Sequence, residues 1–257
     1  MDKQLPPLKN NNNPDAGDLG EAQITPDVAR QVAPEALSTQ GLADLAQKQD
    51  DAHKAQGVLN AVLDQVAGKL NAKSENRVKS PNVIIQKIGQ KRLEGDNKYG
   101  LDDINDMWGG RLIIDKPSDE KKTIDALQSL ADKGIFKILG KQPIEKDNYH
   151  AYHLDIEYAL PDGHKVNGEI QIHTPQSVAQ AAVTHDARYI FGENLPDPAQ
   201  KVMDQETKVV KKLPNDKAQK LADSIVKKRK ANGDTPLPLI TVAQEIKKAG
   251  MGGKSIN

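Results

Sequence analysis

The chain has 257 residues, and its 36 Lys and Arg are balanced by 36 Asp and Glu, so the formal net charge is zero. This balance excludes the global attraction that carries strongly basic proteins to nucleic acids or acidic membranes, and the absence of cysteine excludes disulfides and thiolate zinc sites. No apolar run is long enough to cross a membrane, and the first residues lack the apolar core of a signal peptide. We therefore expect a cytoplasmic protein, acting in its own cell or delivered into the cytoplasm of a target cell.

The N-terminal part divides into a polar segment and a helical one. Residues 1–25 are rich in Asn, Pro and Gly, and we predict a disordered, flexible segment over residues 1–40. From Ala43 to Leu70, apolar residues such as Leu59, Leu63 and Val66 recur at three- and four-residue steps. This spacing predicts an amphipathic helix that packs on the following domain.

A group of cationic residues surrounds the next predicted helix. Ser80 and Pro81 are suited to its N-cap and first turn. Arg77, Lys79 and Lys87 would then cluster near its N-terminus, where free N–H groups and side-chain charges together favour phosphate. An ordinary basic surface turn is the alternative, and these residues taken alone favour it.

Acidic residues precede the first apolar strand. Asp102, Asp103 and Asp106 come before a glycine pair and the strand at 112–114. Carboxylates in this position can hold a divalent cation, which prefers oxygen ligands, or can simply cap a turn. Arg111, beside the apolar run, needs a phosphate or a carboxylate as partner.

A helix and a strand follow. Ser118 is suited to the N-cap of an amphipathic helix that ends near Lys133 and Gly134. The apolar run 135–139 predicts a strand.

Residues 146–174 predict two strands joined by a turn at 161–163. On the second strand, Glu169, Gln171 and His173 alternate with isoleucines. A solvated strand face usually carries Lys, Thr or Ser, so this polar set favours a functional site. If the strands pair in register, His153 and Glu169 lie on the same face.

The C-terminal part is predicted to be helical, over residues 176–190, 198–212, 216–231 and 241–249. Residues 226–230, with sequence VKKRK, form a charge run. Its usual meaning is a solvated helix face, and nucleic-acid contact is the less common alternative.

Five short motifs occur in an order that resembles the synthetase domain of RelA/SpoT-type alarmone synthetases. They are R-x-K-S-P at 77–81, D-x-x-G-x-R at 106–111, Y-x-x-x-H at 149–153, E-I-Q-I-x-T at 169–174 and H-x-x-x-Y at 185–189. The resemblance covers residues 70–195 and implies an α+β fold, a mixed β-sheet flanked by helices with a nucleotidyltransferase-like core. We accordingly predict a synthetase domain over 41–195 and a Lys-rich helical extension over 196–257.

The resemblance also implies a role for each matching residue. Asp106 and Glu169 would hold Mg²⁺, and Glu169 would help to activate the acceptor hydroxyl. Arg77 would stack on the adenine of ATP, and Lys79 and Lys87 would bind its phosphates. Arg111 would also bind ATP. The residues that would bind the acceptor are Tyr149, His153, Gln171 and His173. Asn148 and His173 stand where the family has Gly and Arg, which alters the acceptor pocket.

The implied activity is transfer of the β,γ-pyrophosphate of ATP to the 3′-hydroxyl of an acceptor nucleotide. The acceptor would be GDP or GTP, giving the (p)ppGpp alarmones of the stringent response, or an adenine nucleotide, giving (p)ppApp. One alternative is a toxic variant that modifies tRNA 3′ ends and is neutralised by an antitoxin or immunity protein. Another is a non-catalytic nucleotide-binding or structural module of a phage or secreted assembly. Small family members are often homo-oligomers, so the resemblance implies that state too.

Overall fold

The computed structural model describes residues 34–93, 95–146, 149–191, 197–232 and 237–250. Its strands are β1 (Lys73–Val78), β2 (Trp108–Ile113), β3 (Lys137–Lys146), β4 (Tyr149–Ala159) and β5 (Lys165–His173). Its α-helices are α1 (Thr39–Leu70), α2 (Pro81–Leu93), α3 (Glu120–Asp132), α4 (Pro175–Phe191), α5 (Asp197–Lys211), α6 (Asn215–Ala231) and α7 (Leu239–Gly250). Most of the predicted disordered segment, up to residue 33, lies outside the described residues. Among the described helices, none combines the length and apolar content that spanning a bilayer requires.

The five strands form one mixed sheet in the order β1-β2-β5-β4-β3. β2 and β5 run parallel, and the other neighbouring pairs are antiparallel. Parallel neighbours need a long crossover between them, whereas β4 and β5 are joined by a tight turn in which Gly163 adopts a positive φ of 89°. The predicted α+β fold with a mixed sheet and flanking helices is confirmed.

One face of the sheet is apolar and packs against α1. Trp108 and Leu112 of β2 are fully buried together with Ile170 of β5, and they belong to the same cluster as Leu59 and Leu63 of α1. The period of two along each strand places these residues on one side. The polar residues that alternate with these apolar ones lie on the opposite face. Because α1 covers the apolar face, the polar face is the one available to substrates.

The C-terminal helices form a second apolar cluster. Val183, Leu221, Ile225 and Ile246 pack together, and Ile113 of β2 joins them from the polar side of the sheet. The helices therefore cover one end of the polar face. The predicted helices over this part of the chain are confirmed, with bounds shifted by one or two residues.

Two local predictions are corrected. β3 runs from Lys137 to Lys146 and not over 135–139; it includes Pro143, which a strand at the edge of a sheet tolerates because one side of its backbone needs no partner. Ser118 is not the N-cap of α3. It lies inside a short 3-10 helix, Pro117–Asp119, so that α3 starts at Glu120 and Asp119 takes the cap position.

Candidate active site

Cross-strand register arranges the polar face of the sheet in two rows of side chains. The first row runs across all five strands and consists of Arg77, Gly109, Glu169, Asp155 and Gly140. The second row lies one step along the strands and consists of Glu75, Arg111, Gln171, His153 and Gln142. Residues opposite one another in a sheet lie on one face, close enough for their side chains to interact. Five of the ten predicted site residues are thus brought together by strand pairing alone.

Glu169 is held from two sides. Nδ1 of His153 lies 3.1 Å from one carboxylate oxygen, and Nε2 of Gln171 donates to the other at 2.5 Å. Burial raises the pKa of Glu169, but the hydrogen bond and charge of His153 and the bond from Gln171 outweigh burial and hold it below its usual value. Nε2 of His153 is buried with no hydrogen-bond partner among the described residues. Glu169 is therefore kept ionised, beside a buried ring nitrogen that has no partner among the described residues.

Asp106 lies between the two lysines that were predicted to bind ATP phosphates. One of its oxygens pairs with Lys79, and the other with Lys87 at 3.0 Å. Burial raises the pKa of Asp106, but the two cations outweigh burial and lower it. Lys87 is also attracted to Glu169, so this cluster and the sheet face share one electrostatic environment. In contrast, Asp102 pairs at the surface with Lys48 of α1, whereas Asp103 accepts a hydrogen bond from the backbone N–H of Gly100 and so stabilises a turn.

The two arginines occupy different positions. Arg77 is exposed on β1 and is paired in register with Gly109. Arg111 lies between Glu75 at 3.5 Å and the amide oxygen of Gln171 at 3.4 Å. Arg77 is thus presented to solvent at the edge of the site, whereas Arg111 anchors the second row.

His173 is buried, with 2% of its surface exposed. Its ring contacts the Ser177 hydroxyl at 3.0 Å and the Gln171 amide oxygen at 3.2 Å. Burial, followed by the charge of Arg111, places the pKa of His173 well below its usual value. His173 is therefore a buried, neutral residue that contacts Gln171.

Two parts of the resemblance lie outside the described side chains. Tyr149 is the first residue of β4, but its side chain is not among those described, and Asn148 lies outside the described residues. The side chains of His185 and Tyr189 on α4 are likewise outside them.

Asp155 is a site residue that sequence reasoning missed. It lies on β4 directly opposite Glu169. Burial raises its pKa, and the nearby charge of Glu169 raises it further. The available signal was its spacing, since Asp155 comes two residues after His153 on the same face.

The residues fit a divalent cation by the chemistry of their donors. Asp106, Glu169 and Asp155 supply the carboxylate oxygens that Mg²⁺ prefers, and Mg²⁺ commonly uses one or two carboxylates together with substrate phosphates. A Cβ at Gly140 would lie 3.0 Å from Oδ2 of Asp155, so the glycine leaves the space that this carboxylate occupies. Another group, Asp51, Asp162 and His164, has ligand atoms within 4.8 Å of one another. It lies where α1 meets the β4–β5 turn, and α1 packs on the opposite face of the sheet.

Comparisons with known proteins agree with this geometry. Residues 76–194 match the family described as "Region found in RelA / SpoT proteins". GTP pyrophosphokinase YwaC of Bacillus subtilis is 29% identical over 127 residues, which are 48% of this chain and 60% of the relative. The chain thus spans less than two thirds of the length of that relative.

Solved structures share the fold. A GTP pyrophosphokinase family protein from Streptococcus pneumoniae is 18% identical with a TM-score of 0.54, covering 77% of this chain and 96% of the other. Small alarmone synthetase 1 from Bacillus subtilis is 19% identical with a TM-score of 0.54, covering 75% and 100%. The predicted resemblance and fold are confirmed.

Proposed function

We propose that this chain, whose residues 76–194 match a region found in RelA/SpoT proteins, transfers the β,γ-pyrophosphate of ATP to the 3′-hydroxyl of an acceptor nucleotide. The observation that supports this most is the position of Glu169. It is held ionised by His153 and Gln171, and it faces the same environment as the Asp106, Lys79 and Lys87 cluster.

In the proposed reaction, the acceptor 3′-oxygen attacks the β-phosphorus of ATP. The bond between that phosphorus and the oxygen bridging to the α-phosphate breaks, AMP leaves, and the hydroxyl proton passes to the carboxylate of Glu169. Phosphoryl transfer of this type needs positioning and charge neutralisation more than covalent chemistry. A divalent cation held by Asp106 and Glu169 would supply part of that neutralisation when bound.

The cationic side chains have a distinct part in this proposal. Lys79 and Lys87 neutralise Asp106 in the described structure, and they would transfer their hydrogen bonds to ATP phosphates once a cation binds Asp106. Arg77, exposed on β1, would stack on adenine. On the other side, His153 and the ring of Tyr149 would contact the acceptor.

The proposal also concerns which nucleotide is the acceptor. A guanine nucleotide is the first candidate, because the similar protein YwaC of Bacillus subtilis is a GTP pyrophosphokinase. Adenine nucleotides and tRNA 3′ ends are the alternatives, since His173 is buried and supplies no cation to an acceptor phosphate.

The test is a transfer assay with γ-labelled ATP and Mg²⁺, offering GDP, GTP, AMP, ADP, ATP and bulk tRNA separately. Glu169→Gln is the inactive variant. Glu157→Gln is the matched control, because Glu157 lies on the same face of β4 but is paired with Lys165. Label on one acceptor that is lost only in Glu169→Gln supports the proposal and names the acceptor. No transfer to any acceptor, while ATP still binds, would favour a non-catalytic nucleotide-binding module.

A further inference from the structure

The two predicted metal carboxylates and Asp155 differ in how they are partnered. Both oxygens of Asp106 are bonded to lysines, and both oxygens of Glu169 are hydrogen-bonded to neighbours. Asp155 makes no hydrogen bond or ion pair within the described part of the chain, although it is partly buried. Of the three carboxylates, Asp155 is the one whose oxygens remain available.

Local backbone structure makes room for this carboxylate. β3 has a bulge between Ile138 and Gly140, which brings Gly140 opposite Asp155. A Cβ at Gly140 would lie 3.0 Å from Oδ2 of Asp155, closer than ordinary packing allows. On the far side of Glu169, Gly109 also has no side chain. The two carboxylates therefore stand opposite each other on neighbouring strands, with a glycine on each flank.

Placing two carboxylates opposite each other is unfavourable in the absence of a cation. Like charges directly opposite in an antiparallel pair are destabilising, and partial burial strengthens the repulsion. His153 faces Glu169, but no described cation pairs with Asp155. A divalent cation is the ligand that turns this repulsion into a favourable interaction.

We infer that Asp155 is a third cation-holding carboxylate on this face of the sheet, acting with Glu169 on the cation that neutralises the transferring phosphates. This inference rests on the proposed function, because the cation is that of the transfer reaction. It assigns Asp155 a role beside the reacting groups that the five sequence motifs do not include.

The test measures cation binding without turnover. Mn²⁺ is titrated into the intact protein, alone and with a non-hydrolysable ATP analogue, and the free ion is counted by electron paramagnetic resonance. Asp155→Asn should weaken Mn²⁺ binding about tenfold or more, since even residues that only support metal ligands cost about 10–100-fold when removed. Glu157→Gln, on the same face and strand, should bind Mn²⁺ as the parent protein does. Unchanged affinity in Asp155→Asn, or an equal loss in Glu157→Gln, would overturn the inference.

Thermal unfolding provides a second readout. In EDTA, Asp155→Asn should melt at a higher temperature than the parent protein, because it removes the repulsion with Glu169. On addition of Mg²⁺, the parent protein should gain more stability than the variant. A lower melting temperature for Asp155→Asn in EDTA would show that the carboxylate serves the fold, and would overturn the inference.

The experiments distinguish failure of the role of Asp155 from failure of the proposed function. Transfer by the parent protein together with normal Mn²⁺ binding by Asp155→Asn removes the role of Asp155 and leaves the proposed function. Absence of transfer by the parent protein, together with weakened Mn²⁺ binding by Asp155→Asn, removes the function and leaves the cation site.

Discussion

The glycine pair in β2 provides a sharp test of how the two faces of the sheet are assigned. A Cβ at Gly110 would lie 2.5 Å from Cδ1 of Leu63 and 2.5 Å from Cη2 of Trp108. Carbon atoms in favourable contact are about 3.5–4.0 Å apart, so these groups would have to move by about 1 Å. Both are buried, with Trp108 fully so and Leu63 at 1% exposure. Gly110→Ala should therefore cost about 1–3 kcal/mol, as overpacking of a core does.

Gly109→Ala is the matched control, because the two glycines are adjacent but face opposite sides. A Cβ at Gly109 would meet Cγ of Arg77 at 3.8 Å, an ordinary contact. We expect a change in stability within about 0.5 kcal/mol, together with weaker nucleotide binding, because the new methyl group stands between Arg77 and Glu169.

Thermal and urea unfolding measure the difference between the two variants. For a chain of this size, each kcal/mol corresponds to about 2–4 °C in melting temperature, so Gly110→Ala should melt about 2–12 °C lower and Gly109→Ala close to the parent protein. Equal melting temperatures, or a larger loss in Gly109→Ala, would refute the assignment of the faces.

Three further expectations concern the acceptor strand and the helical bundle. Burial lowers the pKa of His150, but hydrogen bonds to Glu120 and Glu145 outweigh burial and raise it. The stability that these hydrogen bonds add to the folded protein is fully present below the unfolded pKa of about 6.5. It is lost as pH rises through the higher folded pKa. The melting temperature should therefore fall as pH rises above about 6.5, and less so in His150→Gln. Tyr149→Ala should raise the KM for the acceptor more than that for ATP in the transfer assay, and equal changes would argue against stacking on the acceptor base. A serine hydroxyl of α6 and two lysines lower the pKa of Glu245 to about 2, so Glu245→Gln should be less stable than the parent protein at neutral pH, with a difference in urea unfolding that shrinks as pH falls from about 4.5 towards 2.

Local patterns were sufficient to predict the strand pair and its shared polar face. The alternation around His153 and Glu169 specified which residues point the same way, and the 3.1 Å contact between them is the consequence. The bounds of the C-terminal helices also followed from periodicity, whereas α1 begins at Thr39 and not at the predicted Ala43, and α3 begins at Glu120, after Ser118.

Features that depend on non-local contacts could not be predicted in the same way. Asp155 was overlooked because its closeness to Glu169 depends on the register between β4 and β5, and its room depends on the bulge at Gly140. The ion pairs of Asp106 join residues 19 and 27 positions away, so no short motif contains them.

The proposed function is tested most directly by the products of a single transfer. Parent protein, Mg²⁺, γ-labelled ATP and the acceptor that takes up label are mixed, and labelled product, AMP and ADP are quantified together. Pyrophosphate transfer predicts one AMP for each labelled product and no ADP, with both products lost in Glu169→Gln and retained in Glu157→Gln. Formation of ADP with the labelled product would indicate transfer of a single phosphate and would contradict the proposed reaction, as would undiminished transfer by Glu169→Gln.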